Sequence, residues 1–288
     1  RFKPANAHMA AAASGDDAEA AASPGGAIEA SAGAFLTSTP EAAALNQYWY
    51  SRRTMGAIAR EVDGAVAFFS TPSVFHALPE GSRAASVVFD LDTQWAAALG
   101  ARHFCRFDYE DGARGVPETL RGTFDWAVVD PPFITRHVWT RYADAVRAAL
   151  KEPGGRLVLT TVGENEALLR RLFGAGIRKT PFMPAMHRSS GLPYQYSLFV
   201  NYALAEDSPL AAWNPEVPRA LFAAANATRM EDDHDDDDDD RGAAAAADAS
   251  HLGRRHADDA PLTGTSLSFD ELLARELARS AAQPQPTA

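Results

Sequence analysis

The sequence predicts an α/β protein whose mostly parallel sheet is covered by helices on both faces. Two observations carry this prediction. Short apolar segments of strand length alternate with segments of helical periodicity between about residues 45 and 202. Four consecutive predicted strands also end in polar or acidic residues, which is typical of the ligand-binding edge of an open α/β sheet. Such alternation indicates βαβ units with parallel, fully buried strands.

The predicted elements follow one another at short intervals. Strands are predicted at 65–70, 85–89, 104–107, 124–129, 156–161 and 196–202. Helices are predicted at 54–62, 73–78, 95–99, 136–150 and 164–173. The longest helix places Val138, Tyr142 and Ala145 on one face, and the following Pro-Gly-Gly stops it. The pattern therefore indicates a single sheet.

Composition divides the chain into four segments. Residues 1–40 are rich in Ala, Gly, Ser and Pro and have few large apolar side chains, so they are predicted to be disordered. Residues 41–207 form the predicted folded domain. Residues 208–265 are predicted to be an extension and an acidic, Ala-rich linker, mostly disordered. Residues 266–282 are predicted to form an amphipathic helix that Ser268 caps.

The negative charge of the chain is concentrated in one run. The formal net charge is -11, and residues 231–240 alone hold one Glu and eight Asp. Residues 41–205, in contrast, hold 18 Lys and Arg against 16 Asp and Glu. The folded domain is thus neither a basic nucleic-acid surface nor an acidic shell. The acidic run is interpreted as a solvated tether or, alternatively, as an attractor for a basic partner.

Several classes of protein are excluded or disfavoured. Cys105 is the only cysteine, which excludes an intrachain disulfide and a multi-cysteine zinc site. The eight histidines show no metal-ligand spacing, so no metal is predicted. No apolar run approaches the ~20 residues that span a bilayer. We therefore expect a cytoplasmic protein without a membrane segment, and the sequence leaves its oligomeric state open.

Acidic residues at the strand ends indicate a nucleoside-containing cofactor. An acid after the second strand, Asp90, is suited to ribose hydroxyls, and Asp108 after the third strand can accept from an adenine amino group. The first strand is not followed by the G-x-G-x-x-G turn that a pyrophosphate needs. Its absence argues against NAD and FAD, and less against S-adenosylmethionine, which has no phosphate.

The most informative sequence element is Asp130-Pro131-Pro132-Phe133, directly after a buried strand. Two prolines fix an extended turn and provide no N–H groups. The Asp130 carboxylate and the Pro131 carbonyl can then accept both hydrogens of an amine and orient its lone pair. Phe133 can lie against a flat base or a cationic amine. A strand-ending proline pair is the structural alternative.

The motifs described above resemble those of a known family. From about Leu45 to Tyr202 it is similar to the eukaryotic elongation factor 1-alpha lysine methyltransferases, formerly described as N6-adenine-specific DNA methyltransferases. The resemblance rests on LNQYWYS, STPSVF, FDLD with FDY, VVDPPF and LFVNY, which begin at residues 45, 70, 89, 107, 128 and 198. It implies a seven-stranded, Rossmann-like class I methyltransferase sheet, S-adenosylmethionine as donor and a lysine of the elongation factor as acceptor.

The resemblance also implies roles for individual residues. The expected cofactor-binding residues are Gln47, Trp49, Tyr50, Ser70, Thr71, Pro72, Ser73, Asp90, Asp108 and Tyr109. Of these, Gln47, Trp49 and Tyr50 would close over the cofactor or the acceptor channel. The 70–73 turn would replace the usual glycine loop. The expected catalytic residues are Asp130, Pro131, Pro132 and Phe133.

Two acceptors remain open on the residues alone. Lysine, with a pKa of ~10.4, must first lose a proton, at a cost of roughly 4–5 kcal/mol at pH 7. Adenine needs no deprotonation beforehand, but its enzyme must flip the base out and bind phosphates with cationic groups. The near-neutral folded domain favours a protein acceptor and makes nucleic acid the alternative.

Overall fold

The computed structural model describes residues 24–42, 45–188 and 195–219. One sheet contains β1 Val66–Phe69, β2 Val87–Asp90, β3 Phe104–Arg106, β4 Trp126–Val129, β5 Arg156–Val162, β6 Arg178–Lys179 and β7 Tyr196–Val200. The α-helices in the described ranges are α1 Pro24–Ser38, α2 Arg52–Glu61, α3 Pro72–Ala77, α4 Gln94–Leu99, α5 Arg136–Ala149 and α6 Glu166–Phe173.

The seven strands follow the order β3-β2-β1-β4-β5-β7-β6. The first five strands pair in parallel, and β7 runs antiparallel to both β5 and β6. The predicted α/β class, with a seven-stranded Rossmann-like sheet, is confirmed. The strand order reverses between β1 and β4, which is where a ligand crevice is expected. No sequence pattern predicts β6, since two residues are too few to show a periodicity.

The sheet separates two apolar cores because successive strand residues point to opposite faces. Val66 and Phe68 of β1 belong to the core under α1, α2 and α3. Ala67 and Phe69 belong to the core under α5 and α6. Burial on both faces explains why the strands are continuous apolar runs in the sequence.

Helix α1 corrects the prediction that residues 1–40 are disordered, which is wrong for residues 24–38. The helix buries Ile28, Ala32 and Phe35, spaced four and three residues apart, against the first core. Gly33 lets α2 come close, because a Cβ there would lie 2.8 Å from Arg52 Nη2. Because the buried face of α1 is small, it needs few large apolar side chains, and composition alone therefore does not indicate that the segment is folded. Residues 1–23 lie outside the described ranges.

The segment after β7 packs on the domain. The sequence predicts an extension and linker over 208–265 that are mostly disordered; at the start of this range Leu210 and Val217 are buried, and Asn214 Nδ2 donates to the Met183 carbonyl 2.9 Å away. Two apolar side chains and this hydrogen bond hold residues 208–219 on the domain. The acidic run, the Ala-rich run and the predicted helix at 266–282 lie outside the described residues.

The predicted helices and strands agree closely with the observed ones. The helix predicted at 136–150 is α5, which Thr135 caps by accepting a hydrogen bond from the Val138 amide. The helix predicted at 164–173 begins instead with a short 3₁₀ turn, Gly163–Asn165. None of the helices in the described ranges is both long enough and apolar enough to cross a membrane.

Candidate active site

A cavity of about 390 Å³ opens at the carboxyl ends of β1, β2 and β4. Its walls come from the loop before α2, from the three strand ends, from α5 and from the residues flanking β7. The lining residues are Leu45, Asn46, Gln47, Tyr48, Trp49, Ser70, Pro72, Asp90, Leu91, Asp92, Phe107, Tyr109, Asp130, Pro131, Pro132, Phe133, Tyr142, Met186 and Tyr196. The cavity occupies the crevice expected where the strand order reverses.

Most of the sequence-predicted site residues meet in this cavity. The predicted residues among its walls are Gln47, Trp49, Ser70, Pro72, Asp90, Tyr109 and Asp130 to Phe133. Tyr50, Thr71, Ser73 and Asp108 are not part of the lining. The first three are buried behind it, and Asp108 caps the 3₁₀ turn after β3 by accepting from the Glu110 amide.

Asp130 is held from behind by a buried hydroxyl pair. The Tyr50 hydroxyl donates to Asp130 Oδ2 over 2.6 Å, and Thr160 Oγ1 of β5 lies 2.8 Å from the same Tyr50 oxygen. Burial raises the pKa of Asp130 to about 7, although the Tyr50 hydrogen bond acts in the opposite direction. Burial also raises the pKa of Tyr50, which stays protonated. Asp130 can therefore exchange a proton near neutral pH.

The double-proline turn is fixed from the loop before α2. Asn46, with a positive φ of 53°, donates its side-chain amide to the Pro132 carbonyl. No hydrogen bond from another described residue ends on the Pro131 carbonyl. Asp130 and Pro131 both line the cavity, and their carboxylate and carbonyl stay the predicted pair of amine acceptors.

Asp90 presents a second buried carboxylate at the end of β2. The side chain is 6% exposed, and its Oδ1 accepts from the Asp92 amide over 2.8 Å. Burial raises the pKa of Asp90 to about 6, and the nearby Asp92 charge adds to the shift. A desolvated carboxylate of this kind gains most from hydroxyl donors.

Gln47 and Trp49 link the loop before α2 to the rest of the cavity. Gln47 Nε2 donates to Asp92 Oδ2 over 3.1 Å, whereas Gln47 Oε1 is buried and has no hydrogen-bond partner among the residues that the structure describes. Trp49 packs edge-on against Phe35 of α1 and Trp95 of α4, with ring centroids 5.2 and 6.1 Å apart. The unpaired Gln47 oxygen is an acceptor still to be satisfied by a donor.

The turn after β1, which the resemblance predicts to replace a glycine loop, is fixed by side-chain hydrogen bonds. Ser70 adopts a positive φ of 54°, and its Oγ lies 2.7 Å from the Tyr142 hydroxyl of α5. Thr71 is buried, and its Oγ1 donates to the Val128 carbonyl of β4. The turn is thus tied to β4 and α5. A non-glycine residue in this region is uncommon and is often found at functional sites.

Other lining residues escape prediction from the sequence. They are Leu45, Asn46, Tyr48, Leu91, Asp92, Phe107, Tyr142, Met186 and Tyr196. Several adjoin the motifs that were recognised, and that adjacency is the signal that could have found them. Tyr142 and Met186 carry no such signal, because only the fold brings them to the strand ends. Tyr142 reaches the cavity from α5 and lies parallel to Tyr109, with ring centroids 6.4 Å apart.

The cavity is acidic. Three carboxylates, from Asp90, Asp92 and Asp130, line it, and among the described residues of its lining there is no Lys, Arg or His. Leu45 and Leu91, each 47% exposed, are the exposed large apolar side chains of the described ranges, and both line the cavity. An acidic cavity with apolar side chains suits a cationic ligand and disfavours a phosphate chain.

A family comparison identifies the type of domain. The family model described as probable N6-adenine methyltransferase matches residues 41–204, which contain the whole sheet and the whole cavity. The chain belongs to this family.

Three relatives found by sequence comparison are named as lysine methyltransferases. EEF1A lysine methyltransferase 1 of Gallus gallus is 28% identical over 165 residues, covering 55% of this chain and 74% of that protein. A protein-lysine N-methyltransferase of Dictyostelium discoideum is 28% identical over 125 residues, covering 41% and 58%. Protein-lysine N-methyltransferase EFM5 of Saccharomyces cerevisiae is 25% identical over 179 residues, covering 55% and 71%.

Solved structures show only a distant likeness. The branched-chain polyamine synthase of Thermus thermophilus is 15% identical, with a TM-score of 0.44, covering 65% of this chain and 68% of that one. The Mtq2-Trm112 complex of E. cuniculi is 18% identical, with a TM-score of 0.35, covering 53% and 96%. Similarity at this level does not indicate the activity of the chain.

Proposed function

We propose that this chain is an S-adenosylmethionine-dependent protein-lysine N-methyltransferase that acts in the cytoplasm on a lysine of translation elongation factor 1-alpha. The single observation that carries the proposal is the acidic cavity. Asp130 and Pro131, the proposed pair of amine acceptors, line it, and none of its lining residues within the described ranges is basic. The names of the relatives support the same acceptor.

The cavity fits the proposed cofactor on features of this structure. The buried Asp90 carboxylate is placed to accept from ribose hydroxyls, and Tyr109 offers an aromatic surface for a base. The buried, unpartnered Gln47 Oε1 is an acceptor that suits an ammonium group. When bound, S-adenosylmethionine supplies a methyl group on a positively charged sulfur. Ser70 and Pro72 line the same cavity.

The protein's contribution to transfer is orientation. Asp130 and the Pro131 carbonyl accept hydrogen bonds from the acceptor nitrogen, and this directs its lone pair along one line. Phe133 forms the apolar side of the same subsite and excludes water. Orientation of this quality can contribute up to ~7–11 kcal/mol to the lowering of a barrier.

Electrostatics argue for lysine over adenine in nucleic acid. A flipped base arrives on a chain of phosphates, which proteins bind with Lys and Arg. The lining of this cavity offers three carboxylates instead. A lysine side chain brings one positive charge and a slender apolar stem, which match the carboxylates and the Leu45 and Leu91 side chains.

The proposal is tested by comparing acceptors in separate reactions. The full chain is incubated with radiolabelled S-adenosylmethionine and, in parallel, with elongation factor 1-alpha, RNA or duplex DNA. We expect label in the elongation factor, and its loss when the lysines of that factor are chemically acetylated. Label in RNA or DNA alone would replace the proposed acceptor with adenine. Calorimetry that finds no cofactor binding would contradict the enzyme assignment itself.

A further inference from the structure

We propose that Asp130 takes the proton from the acceptor ammonium group, and that Tyr50, held by Thr160, is the positioning residue that directs Asp130 Oδ1 toward it. This inference rests on the proposed function, because it concerns the same amine subsite. Tyr50 is 2% exposed and is absent from the cavity lining, so it acts through Asp130 and not on the ligand.

The hydrogen-bond chain has a defined direction. A phenol has one proton, and Tyr50 gives it to Asp130 Oδ2 over 2.6 Å. Tyr50 and Thr160 Oγ1 are 2.8 Å apart, and because the phenol proton is committed to Asp130, the Thr160 hydroxyl is left as the donor of that contact. Oδ2 is thereby occupied, whereas Oδ1 receives no hydrogen bond from a described residue. Because Asp130 lines the cavity, Oδ1 is the oxygen left for the acceptor.

Backbone pairing holds Tyr50 in place. Tyr50 forms an isolated antiparallel bridge with Met186, and the amides of Ser51 and His187 donate to Ala185 and Trp49 over 2.7 Å each. The residues before and after Tyr50 in the chain are thus both held by backbone hydrogen bonds. A proton acceptor fixed in this way needs no reorientation when the substrate arrives.

The proton transfer balances without a further reactant. One N–H bond of the acceptor ammonium breaks and an O–H bond forms on Asp130 Oδ1, while the electron pair of the broken bond stays on nitrogen as its lone pair. Tyr50 can keep its hydrogen bond to Oδ2 in both protonation states. Asp130 then returns the proton to solvent after the product has left the cavity.

The environment of Asp130 supports this role. With its pKa raised to about 7 from 3.8, Asp130 makes the proton transfer from lysine roughly three orders of magnitude more favourable than an ordinary aspartate would. The titratable groups around it belong to five elements. They are Tyr50 before α2, Asp90 of β2 with Asp92 just after it, Tyr109 after β3, Tyr142 of α5 and Tyr196 of β7. Among them, Tyr50 is the group whose hydrogen bond to Asp130 lowers that pKa.

The test compares Tyr50→Phe with Tyr202→Phe in the full chain. Tyr202 is a matched control, because it does not line the cavity and its hydroxyl donates a 2.8 Å hydrogen bond to the Glu61 carboxylate. With elongation factor 1-alpha and saturating S-adenosylmethionine, we expect Tyr50→Phe to lower kcat about 10-fold or more while KM changes less than about twofold. Its acid limb should move to higher pH, since Asp130 loses the donor that lowers its pKa.

Failure of the proposed function and failure of the positioning role give different results. A wild-type chain that binds the cofactor but does not label the elongation factor overturns the proposed function and the base role together. A labelled elongation factor with the same kcat and acid limb in Tyr50→Phe overturns this inference alone. Titration of the carboxyl carbons by NMR gives a readout without turnover: we expect the pKa of Asp130 to rise in Tyr50→Phe and not in Tyr202→Phe, and equal values would contradict the positioning role.

Discussion

Gln47 Nε2 donates to Asp92 Oδ2 over 3.1 Å, and this bond joins the loop before α2 to the turn after β2. Asp92 in turn donates its backbone amide to Asp90 Oδ1, so the loop and the buried carboxylate share one hydrogen-bond chain. The proposed cofactor subsite therefore depends on a contact between segments that are 45 residues apart in the sequence.

Gln47→Ala should weaken cofactor binding, because it removes both the donor to Asp92 and the unpartnered Oε1 acceptor. We expect Kd for S-adenosylmethionine, measured by calorimetry, to rise roughly 10-fold, which corresponds to about 1.4 kcal/mol. Gln94→Ala is a matched control, since Gln94 also donates to Asp92 Oδ2 but does not line the cavity. Equal losses in the two variants would show that Gln47 serves only to hold Asp92.

Asp90→Asn should also weaken cofactor binding, because a neutral amide is a poorer acceptor for hydroxyls than a buried carboxylate. We expect a rise in Kd of about 10-fold or more at pH 8. The pKa of Asp90 is raised to about 6, so protonation should weaken wild-type binding as pH falls through that value. Asp90→Asn should lack this pH dependence.

Asp108→Asn provides the comparison for Asp90. Asp108 was predicted from the sequence to bind adenine, but its side chain accepts from the Glu110 amide and is not part of the cavity lining. We expect its substitution to change Kd by less than about threefold. A loss equal to that of Asp90→Asn would restore the sequence-based role of Asp108 at the adenine.

Phe35→Ala should destabilise the domain, although residue 35 lies in a segment predicted to be disordered. Its ring is 4% exposed and contacts the rings of Trp49, His76 and Trp95. Truncating a buried Phe costs about 3–5 kcal/mol, which a urea titration would measure. Thr37→Ala, at an exposed position of the same helix, should change the free energy of unfolding by less than about 0.5 kcal/mol. Similar curves for Phe35→Ala and wild type would mean that α1 does not contribute to the folded core.

The sheet and the double-proline turn could be predicted because their signals are local. Most of the strands are short apolar runs, and Asp130 directly follows one of them in the sequence. Segments such as α1 escaped prediction because their stability comes from partners far along the chain. Phe35 is informative only once Trp49 and Trp95 are placed around it.

The site shows the same division between local and distant signals. Motif spacing finds Asp90 and Asp130, but it cannot show that Tyr50 lies behind Asp130 instead of over the ligand. That arrangement depends on Thr160, 110 residues further on, which reaches the pair from β5. The neighbours of a buried hydroxyl are set by tertiary packing, on which one-dimensional patterns carry no information.

Asp130→Asn should separate catalysis from stability. The variant keeps the size of the side chain but cannot accept a proton, so we expect methyl transfer to fall by about 100-fold or more. Cofactor affinity should change less than about threefold, because Asp130 belongs to the amine subsite. Equal losses of transfer and of cofactor affinity would instead place Asp130 in contact with the cofactor.

The same variant should be more stable than the wild type at alkaline pH. Burial raises the pKa of Asp130 from 3.8 to about 7, so the folded state holds a proton that the unfolded state has released between these values. The destabilisation is therefore absent below about pH 4, grows as pH rises and is complete above about pH 7, where it reaches up to about 4 kcal/mol. Thermal unfolding of the ligand-free chain should show a higher Tm for Asp130→Asn at pH 8, and a smaller gain at pH 5. A lower Tm at both values would mean that the charged carboxylate stabilises the fold, and that lost transfer reflects unfolding.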